Sequence, residues 1–95
     1  NMLLYDKGDP IEAVRLLGKD IVHVHAKDAT RPTTPGQWGR EVPLGLGQVD
    51  MPKFIAALRG AGFEGTIAIE REVGNQEARL RDIAYGASVL RRLIA

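Results

Sequence analysis

Apolar residues recur along this chain with two different periods. Steps of three and four residues, typical of amphipathic helices, mark residues 10–17, 50–60 and 76–94. Between them lie two short runs rich in β-branched residues, 21–27 and 66–70, whose length and composition favour strands. The predicted order of helix, strand, helix, strand, helix is typical of parallel βα units.

Local residues mark where the helices begin and end. Asp9 followed by Pro10 favours a helix start, because aspartate caps free N–H groups and proline fixes the first turn. Gly18 suits the end of that helix, and Asp50 suits the start of the next. Residues 29–49 hold three prolines and four glycines, which predicts a loop without regular structure. A loop of about twenty residues in a compact domain is usually functional.

The alternation of side chains along the two predicted strands indicates a candidate site. Side chains of a strand point to opposite faces in turn, so each strand has an apolar face for helices and a face that becomes polar toward its carboxyl end. On that polar face the first strand carries His23, His25 and Lys27, and the second ends at Glu70. We expect His25 and Glu70 at the same open end of adjacent strands, where an imidazole and a carboxylate suit a divalent cation.

Other interpretations of the candidate residues stay open. His23 fits a hydrogen-bonded core or supporting position better than a metal ligand. Lys27 and Arg31, with Asp28, are compatible with ordinary loop charges, and residues 71–72 with a solvated or structural pair. The two glycines of residues 45–47 fit a turn better than a phosphate cradle. Trp38 is as compatible with covering the site as with stacking on a sugar ring.

Charge and composition narrow the class of partner. The chain has 13 basic and 12 acidic residues spread along its length, so no basic stripe indicates nucleic-acid binding. It has no cysteine, which leaves only nitrogen and oxygen ligands for a metal. No apolar run approaches the roughly 18 residues of a membrane span. We therefore expect a small-molecule partner and a cytoplasmic setting.

Four segments resemble the xylose-isomerase-like superfamily of sugar phosphate isomerases and epimerases. They are residues 1–10, 23–29, 42–50 and 61–72, which follow the family's order and span nearly the whole chain. The resemblance implies an α/β fold, the C-terminal part of a (β/α)8 TIM barrel that holds the end of unit six and then units seven and eight. All 95 residues would belong to one barrel domain, incomplete because a whole barrel needs roughly 250.

The same resemblance implies a metal site and a reaction. His25 and Glu70 would be two of four ligands of a divalent metal (Mn2+, Mg2+, Co2+ or Zn2+), with the others outside this chain. Glu70 would also be catalytic, as an acid or base that moves a proton beside a metal-bound carbonyl through an enediolate. Arg31 matches a substrate-contacting arginine of ketose 3-epimerases, and Lys27, Trp38 and Asn1 are further candidate substrate-binding residues. The expected function is sugar isomerisation or epimerisation.

Two alternative functions are also compatible with the sequence. Endonuclease-IV-like enzymes also place a histidine and a glutamate where His25 and Glu70 stand. However, Asn1 occupies the place of one histidine ligand, and residues 39–41 the place of an aspartate-x-histidine. The second alternative is a catalytically inactive segment, because two strands cannot close a barrel and their open edges attract partners. We accordingly expect self-association into a homo-oligomer.

Overall fold

Three helices and four short strands make up the chain. A computed structural model describes all 95 residues, with helices α1 (Pro10–Leu17), α2 (Met51–Gly60) and α3 (Gln76–Ile94). The strands are β1 (His23–Ala26), β2 (Asp28–Thr30), β3 (Arg40–Val42) and β4 (Thr66–Ile69), and a 3₁₀ turn (Gly18–Asp20) joins α1 to β1. The predicted helices are confirmed, and both predicted strands are present in shortened form.

Side-chain caps fix the helix boundaries that the sequence predicted. The Asp9 carboxylate accepts from the Ile11 N–H at 2.8 Å, and the Asp50 carboxylate from the Lys53 N–H at 3.1 Å. Gly18 ends α1 with φ 51°, a left-handed conformation that glycine adopts without steric cost. These contacts are local in sequence, which is why the helix ends could be predicted.

Strands β1 and β4 form a parallel pair with one face toward the helices. His25 lies opposite Ala68, and Ala26 lies opposite Ile69. Along β1 the side chains alternate between exposed histidines and buried Val24 and Ala26, as the pattern predicted. The core below the sheet consists of Val14, Val24, Ala26, Leu44, Met51, Ile55, Leu58 and Leu90.

The segment after β1 differs from the predicted irregular loop. Strands β2 and β3 form an antiparallel pair in which Asp28 lies opposite Val42 and Thr30 lies opposite Arg40. Each strand has only three residues, too few to produce a recognisable period in the sequence. The continuous strand predicted to Lys27 is also wrong, because the chain leaves β4 there and pairs with β3 instead.

The second face of the β1–β4 sheet has no covering layer in this chain. The sheet has two strands, so each strand keeps one unpaired edge and no barrel closes. The architecture is the α/β segment of an incomplete barrel that the sequence predicted. No helix combines the length and the apolar composition that crossing a bilayer requires.

Candidate functional site

A cavity of ≈ 540 Å³ lies beside β1, lined by residues of both faces of that strand, by α1 and by the first turn of α2. Its polar lining includes Asn1, His23, His25, Lys27 and Glu70, and its remaining walls are mostly apolar. The Glu70 N–H donates to the Ala26 carbonyl at 2.9 Å, which extends the parallel register one step beyond β4. The fold therefore brings the two predicted metal ligands, His25 and Glu70, to one cavity.

The two histidines of β1 lie on the uncovered face of the sheet. Both side chains are exposed, and their rings meet edge to face with centroids 5.0 Å apart and planes at 73°. His23 is exposed in this chain because the helices cover only the opposite face of the strand, and its hydrogen-bonded core or supporting position stays a prediction. Contact with the His25 ring leaves a supporting role for His23 open.

Lys27 lines the cavity and is surrounded by three carboxylates. Its Nζ lies 2.6 Å from a Glu72 oxygen, 3.4 Å from Glu41 and 3.5 Å from Glu70, and it donates to the Asn1 Oδ1 at 3.1 Å. The side chain is only 5% exposed. Burial opposes its charge, but the hydrogen bond to Glu72 and the surrounding carboxylates outweigh that effect and raise the Lys27 pKa. Lys27 is thus a fixed cation.

Glu41 joins Lys27 to a second cation. Its side chain is 3% exposed, and it accepts from Arg71 at 2.8 Å and from the Glu72 N–H at 3.0 Å. Arg71 also pairs with Asp82 of α3 at 2.8 Å. Burial raises the pKa of Glu41, but the Glu72 N–H, Arg71 and Lys27 more than offset this and lower it below its ordinary value. For Arg71, burial is likewise outweighed by Asp82 and Glu41, which raise its pKa.

We call this group of charged side chains the ion cluster; it comprises Lys27, Glu41, Glu70, Arg71, Glu72 and Asp82. Sequence reasoning missed Glu41, because its place depends on the unpredicted β3 strand. It also assigned Arg71 and Glu72 to each other. The structure corrects this, because Arg71 binds Glu41 and Asp82 while Glu72 binds Lys27.

Asp28 is a buried structural anchor rather than the ordinary loop charge considered from the sequence. It is 1% exposed and accepts from the backbone N–H groups of Ala29, Gly45, Gly47 and Val49 at 2.9–3.1 Å. A Cβ at Gly47 would lie 2.3 Å from the Asp28 Oδ1. The loop of residues 45–49 therefore wraps around this carboxylate, and glycine is needed where it passes closest.

Arg31 and Trp38 lie outside the cavity lining. The Arg31 guanidinium contacts the Asp6 carboxylate and the Gly8 carbonyl, each at 3.1 Å. Trp38 is 74% exposed and meets the Tyr5 ring edge to face at 5.0 Å. In this chain both residues hold the loop after β2 against residues 5–8, and their contact with a substrate stays a prediction.

Comparison with known proteins now identifies the fold. The family model described as a xylose isomerase-like TIM barrel matches residues 1–93. The chain belongs to this family. Among solved structures it is similar to a xylose isomerase domain protein from Planctomyces limnophilus, with 36% identity and a TM-score of 0.89. That match covers 98% of this chain and 34% of the other, so the chain spans about a third of its solved relative. No curated protein gives a significant match.

Membership of the xylose isomerase-like family makes a divalent cation the group to test at this cavity. An imidazole nitrogen and a carboxylate oxygen are donors that such cations accept. His25 is exposed to the cavity, and the Glu70 side chain is 28% exposed with Lys27 as its one ion-pair partner. The chain holds no group of three or more potential ligands. His25 and Glu70 could therefore supply part of the coordination sphere of such a cation.

Proposed function

We propose that the full-length barrel carrying this segment is a divalent-metal-dependent sugar isomerase or epimerase. One observation carries the proposal. His25 and Glu70 line the same cavity from adjacent parallel strands, with the protonated Lys27 between the strand ends. Membership of the xylose isomerase-like family supports the fold. The reaction is inferred from these side chains, because one fold can host many reactions.

In the proposed mechanism, Glu70 has two roles. Its carboxylate and the His25 imidazole would hold the cation, and Glu70 would also take up or return the proton on the carbon beside the carbonyl. A bound divalent cation would supply the Lewis acid that stabilises negative charge on the carbonyl oxygen. Glu70 suits both roles because it is accessible from the cavity and its oxygens have few partners within the chain.

Lys27 orients Glu70 and offers a donor to the substrate. Its ammonium group is held by Glu41 and Glu72, so it stays charged and has little freedom to move. Lys27 and the amide of Asn1 would contact sugar oxygens inside the cavity. We also propose that Arg31 and Trp38 contact parts of the substrate that extend beyond the cavity.

The endonuclease alternative has less support in this geometry. Glu41 falls where such enzymes need a histidine ligand, and its carboxylate is enclosed between Lys27 and Arg71. Asn1 offers an amide where an imidazole is required. We therefore propose a small-molecule sugar as the substrate and no nucleic-acid partner.

We also propose that the isolated segment self-associates through its open sheet edges. In the full-length protein we propose that further strands of the barrel cover the free edges of β1 and β4. The isolated segment would be inactive, because it supplies only part of a metal site, and it would associate with copies of itself through the same edges. Sedimentation of the segment tests this self-association.

We also propose a cytoplasmic location for the protein, and cell fractionation tests it.

The test of function is metal-dependent proton exchange. The full-length protein is stripped with a chelator, and Mn2+, Mg2+, Co2+ and Zn2+ are restored singly with a panel of ketoses in D2O. Proton NMR should show loss of a carbon-bound proton only with metal, and only when Glu70 is intact. Glu64→Gln is a matched control, because Glu64 is exposed on the loop before β4 and does not line the cavity. Exchange without metal, or none across the panel, would contradict the proposal.

A further inference from the structure

The backbone around Glu70 is held on both sides of that residue. On one side the Glu70 N–H donates to the Ala26 carbonyl at 2.9 Å, which continues the parallel pairing beyond β4. On the other side the Glu72 N–H donates to the buried Glu41 carboxylate at 3.0 Å. Glu41 therefore supplies the next anchor where the sheet ends, and the loop from β4 to α3 starts from a fixed position.

The two oxygens of Glu41 have different partners. Oε2 accepts from the Glu72 N–H and from the Arg71 guanidinium, whereas Oε1 lies 3.4 Å from the Lys27 Nζ. The same Lys27 Nζ lies 3.5 Å from Oε2 of Glu70. Glu41 does not line the cavity. It nevertheless reaches Glu70 by two routes, through the side chain of that residue and through the backbone that follows it.

Arg71 fixes the orientation of Glu41. Its Nη1 donates to Glu41 and its Nε donates to Asp82 of α3, each at 2.8 Å, and its side chain is 11% exposed. The α3 helix is a rigid support for this contact, because a Cβ at Gly86, one turn after Asp82, would already meet the Ile69 side chain of β4 at 3.5 Å. The planar guanidinium holds both carboxylates at a fixed angle, which a lysine cannot do.

Stability alone does not account for the burial of these charges. Removing paired charges from water costs about as much free energy as their attraction returns, so apolar side chains of similar size stabilise a fold as well or better. A fully paired polar network instead favours one geometry. No buried side-chain polar atom of this chain lacks a partner. The geometry that the network favours ends on Glu70, the carboxylate that the proposed reaction needs.

We infer that Glu41 and Arg71 are positioning residues for Glu70. The inference rests on the proposed function, in which Glu70 binds the cation and moves the proton. Glu41 fixes Glu70 through Lys27 and through the Glu72 N–H, and Arg71 fixes Glu41 against α3. Changing a residue that orients a metal ligand typically lowers metal affinity or activity by roughly 10- to 100-fold.

The first test compares crystal structures of the metal-free full-length protein and two variants. Glu41→Gln replaces one acceptor oxygen with an NH2 group, and Arg71→Lys keeps the positive charge but loses the planar fork. In both variants the Glu70 carboxylate should move by more than about 0.5 Å or occupy several positions. Arg81→Lys is the matched control, because Arg81 contacts Glu77 on the exposed side of α3 at 3.1 Å and should leave Glu70 in place.

The second test titrates the same metal-free proteins with Mn2+ and follows the EPR spectrum of the free ion. Arg71→Lys should weaken Mn2+ binding by roughly tenfold, and Glu41→Gln by at least as much, because a loosely held ligand binds a cation less well. Charge alone predicts no change for Arg71→Lys, so this variant separates positioning from electrostatic attraction. At saturating Mn2+, kcat for the ketose should fall at least roughly tenfold, while KM should change less than about threefold.

Two outcomes would overturn the inference, and urea denaturation first checks that each variant is folded. One is a Glu70 carboxylate that keeps its position within about 0.5 Å in both variants. The other is a parent that binds Mn2+ and whose Kd and kcat are unchanged in both variants, since residues that serve stability alone lower only the unfolding free energy. If Glu70 moves in the variants while the parent shows no Mn2+ binding or no proton exchange, the proposed function is wrong and the positioning stands.

Discussion

Asp28 and Glu70 are both acidic residues near the end of a strand of the parallel sheet, yet their surroundings differ completely. Asp28 is 1% exposed and accepts from four backbone N–H groups. Glu70 is 28% exposed, lines the cavity and has one ion-pair partner, Lys27, at 3.5 Å. A carboxylate has about four acceptor positions. Those of Asp28 are filled by the protein, whereas those of Glu70 are largely available to a ligand.

The comparison indicates that the hydrogen-bond and ion-pair partners of a carboxylate determine whether it serves stability or function. A buried carboxylate with backbone donors holds a loop in place, and its removal leaves those donors without acceptors. An accessible carboxylate in a cavity that also contains an imidazole contributes little to folding and can bind a cation or move a proton. Substitutions at the two positions should therefore have opposite profiles.

The largest expected effect is on catalysis by Glu70. In the full-length protein, Glu70→Gln should reduce kcat/KM by roughly 10³-fold or more, because it removes a metal ligand and the proton-transfer group together. The free energy of unfolding should change by less than about 1 kcal/mol, because the group is partly exposed. Steady-state kinetics and urea denaturation measure the two effects. Activity within threefold of the parent would remove Glu70 from the mechanism.

Asp28→Asn should show the reverse profile. An asparagine keeps one acceptor oxygen and turns an NH2 group toward backbone donors, so we expect a loss of about 3 kcal/mol in unfolding free energy. Urea denaturation of the metal-free protein measures it. Asp20→Asn is the control, since Asp20 is exposed and makes no side-chain hydrogen bond. A loss below about 1 kcal/mol would show that Asp28 is not the anchor of the loop.

Gly47→Ala tests the same anchor from the loop side. The added Cβ would lie 2.3 Å from the Asp28 Oδ1 and 2.7 Å from the Ala29 carbonyl, so the loop must shift. We expect a loss of about 2 kcal/mol in unfolding free energy. Gly60→Ala is the matched control, because nothing lies within 4 Å of its Cβ and alanine favours the α2 helix. Equal effects at the two positions would contradict the close packing around Asp28.

Glu41 is intermediate between the two carboxylates, because it is buried but paired with cations. Its pKa is lowered in the folded protein from an ordinary value of 4.5. The resulting stability is present above that pH and is lost as the pH falls through 4.5 and then through the lower folded value. The unfolding free energy of the parent should exceed that of Glu41→Gln at pH 7, and this difference should shrink as the pH falls below 4.5. A difference independent of pH would refute this electrostatic origin.

Sequence patterns predicted those features that depend on local residues. The ends of α1 follow from Asp9, Pro10 and Gly18, which act within one helical turn. The faces of β1 follow from strict alternation, which placed His25 on the open side. The parallel pairing of β1 with β4 followed from the order of helices and strands. Predicting each of these features requires no knowledge of contacts between residues that are distant in the sequence.

The ion cluster could not be predicted, because its contacts join distant positions. Glu41 reaches Lys27 only because β3 pairs with β2, and both strands are too short to leave a periodic signal. Asp28 and Lys27 are neighbours in sequence, yet one points to backbone donors and the other to carboxylates. Charge type alone does not distinguish these environments. The polar ends of strands could thus be located, but not the roles of all their residues.

The most direct test of the central claim is anomalous diffraction from crystals of the full-length protein soaked in Mn2+. The geometry predicts one strong anomalous peak within about 2.0–2.3 Å of both a His25 ring nitrogen and a Glu70 carboxylate oxygen. A peak at that position that disappears in Glu70→Gln would establish the shared metal site. Mn2+ bound elsewhere, with His25 and Glu70 free of metal, would contradict the proposed site and the mechanism built on it.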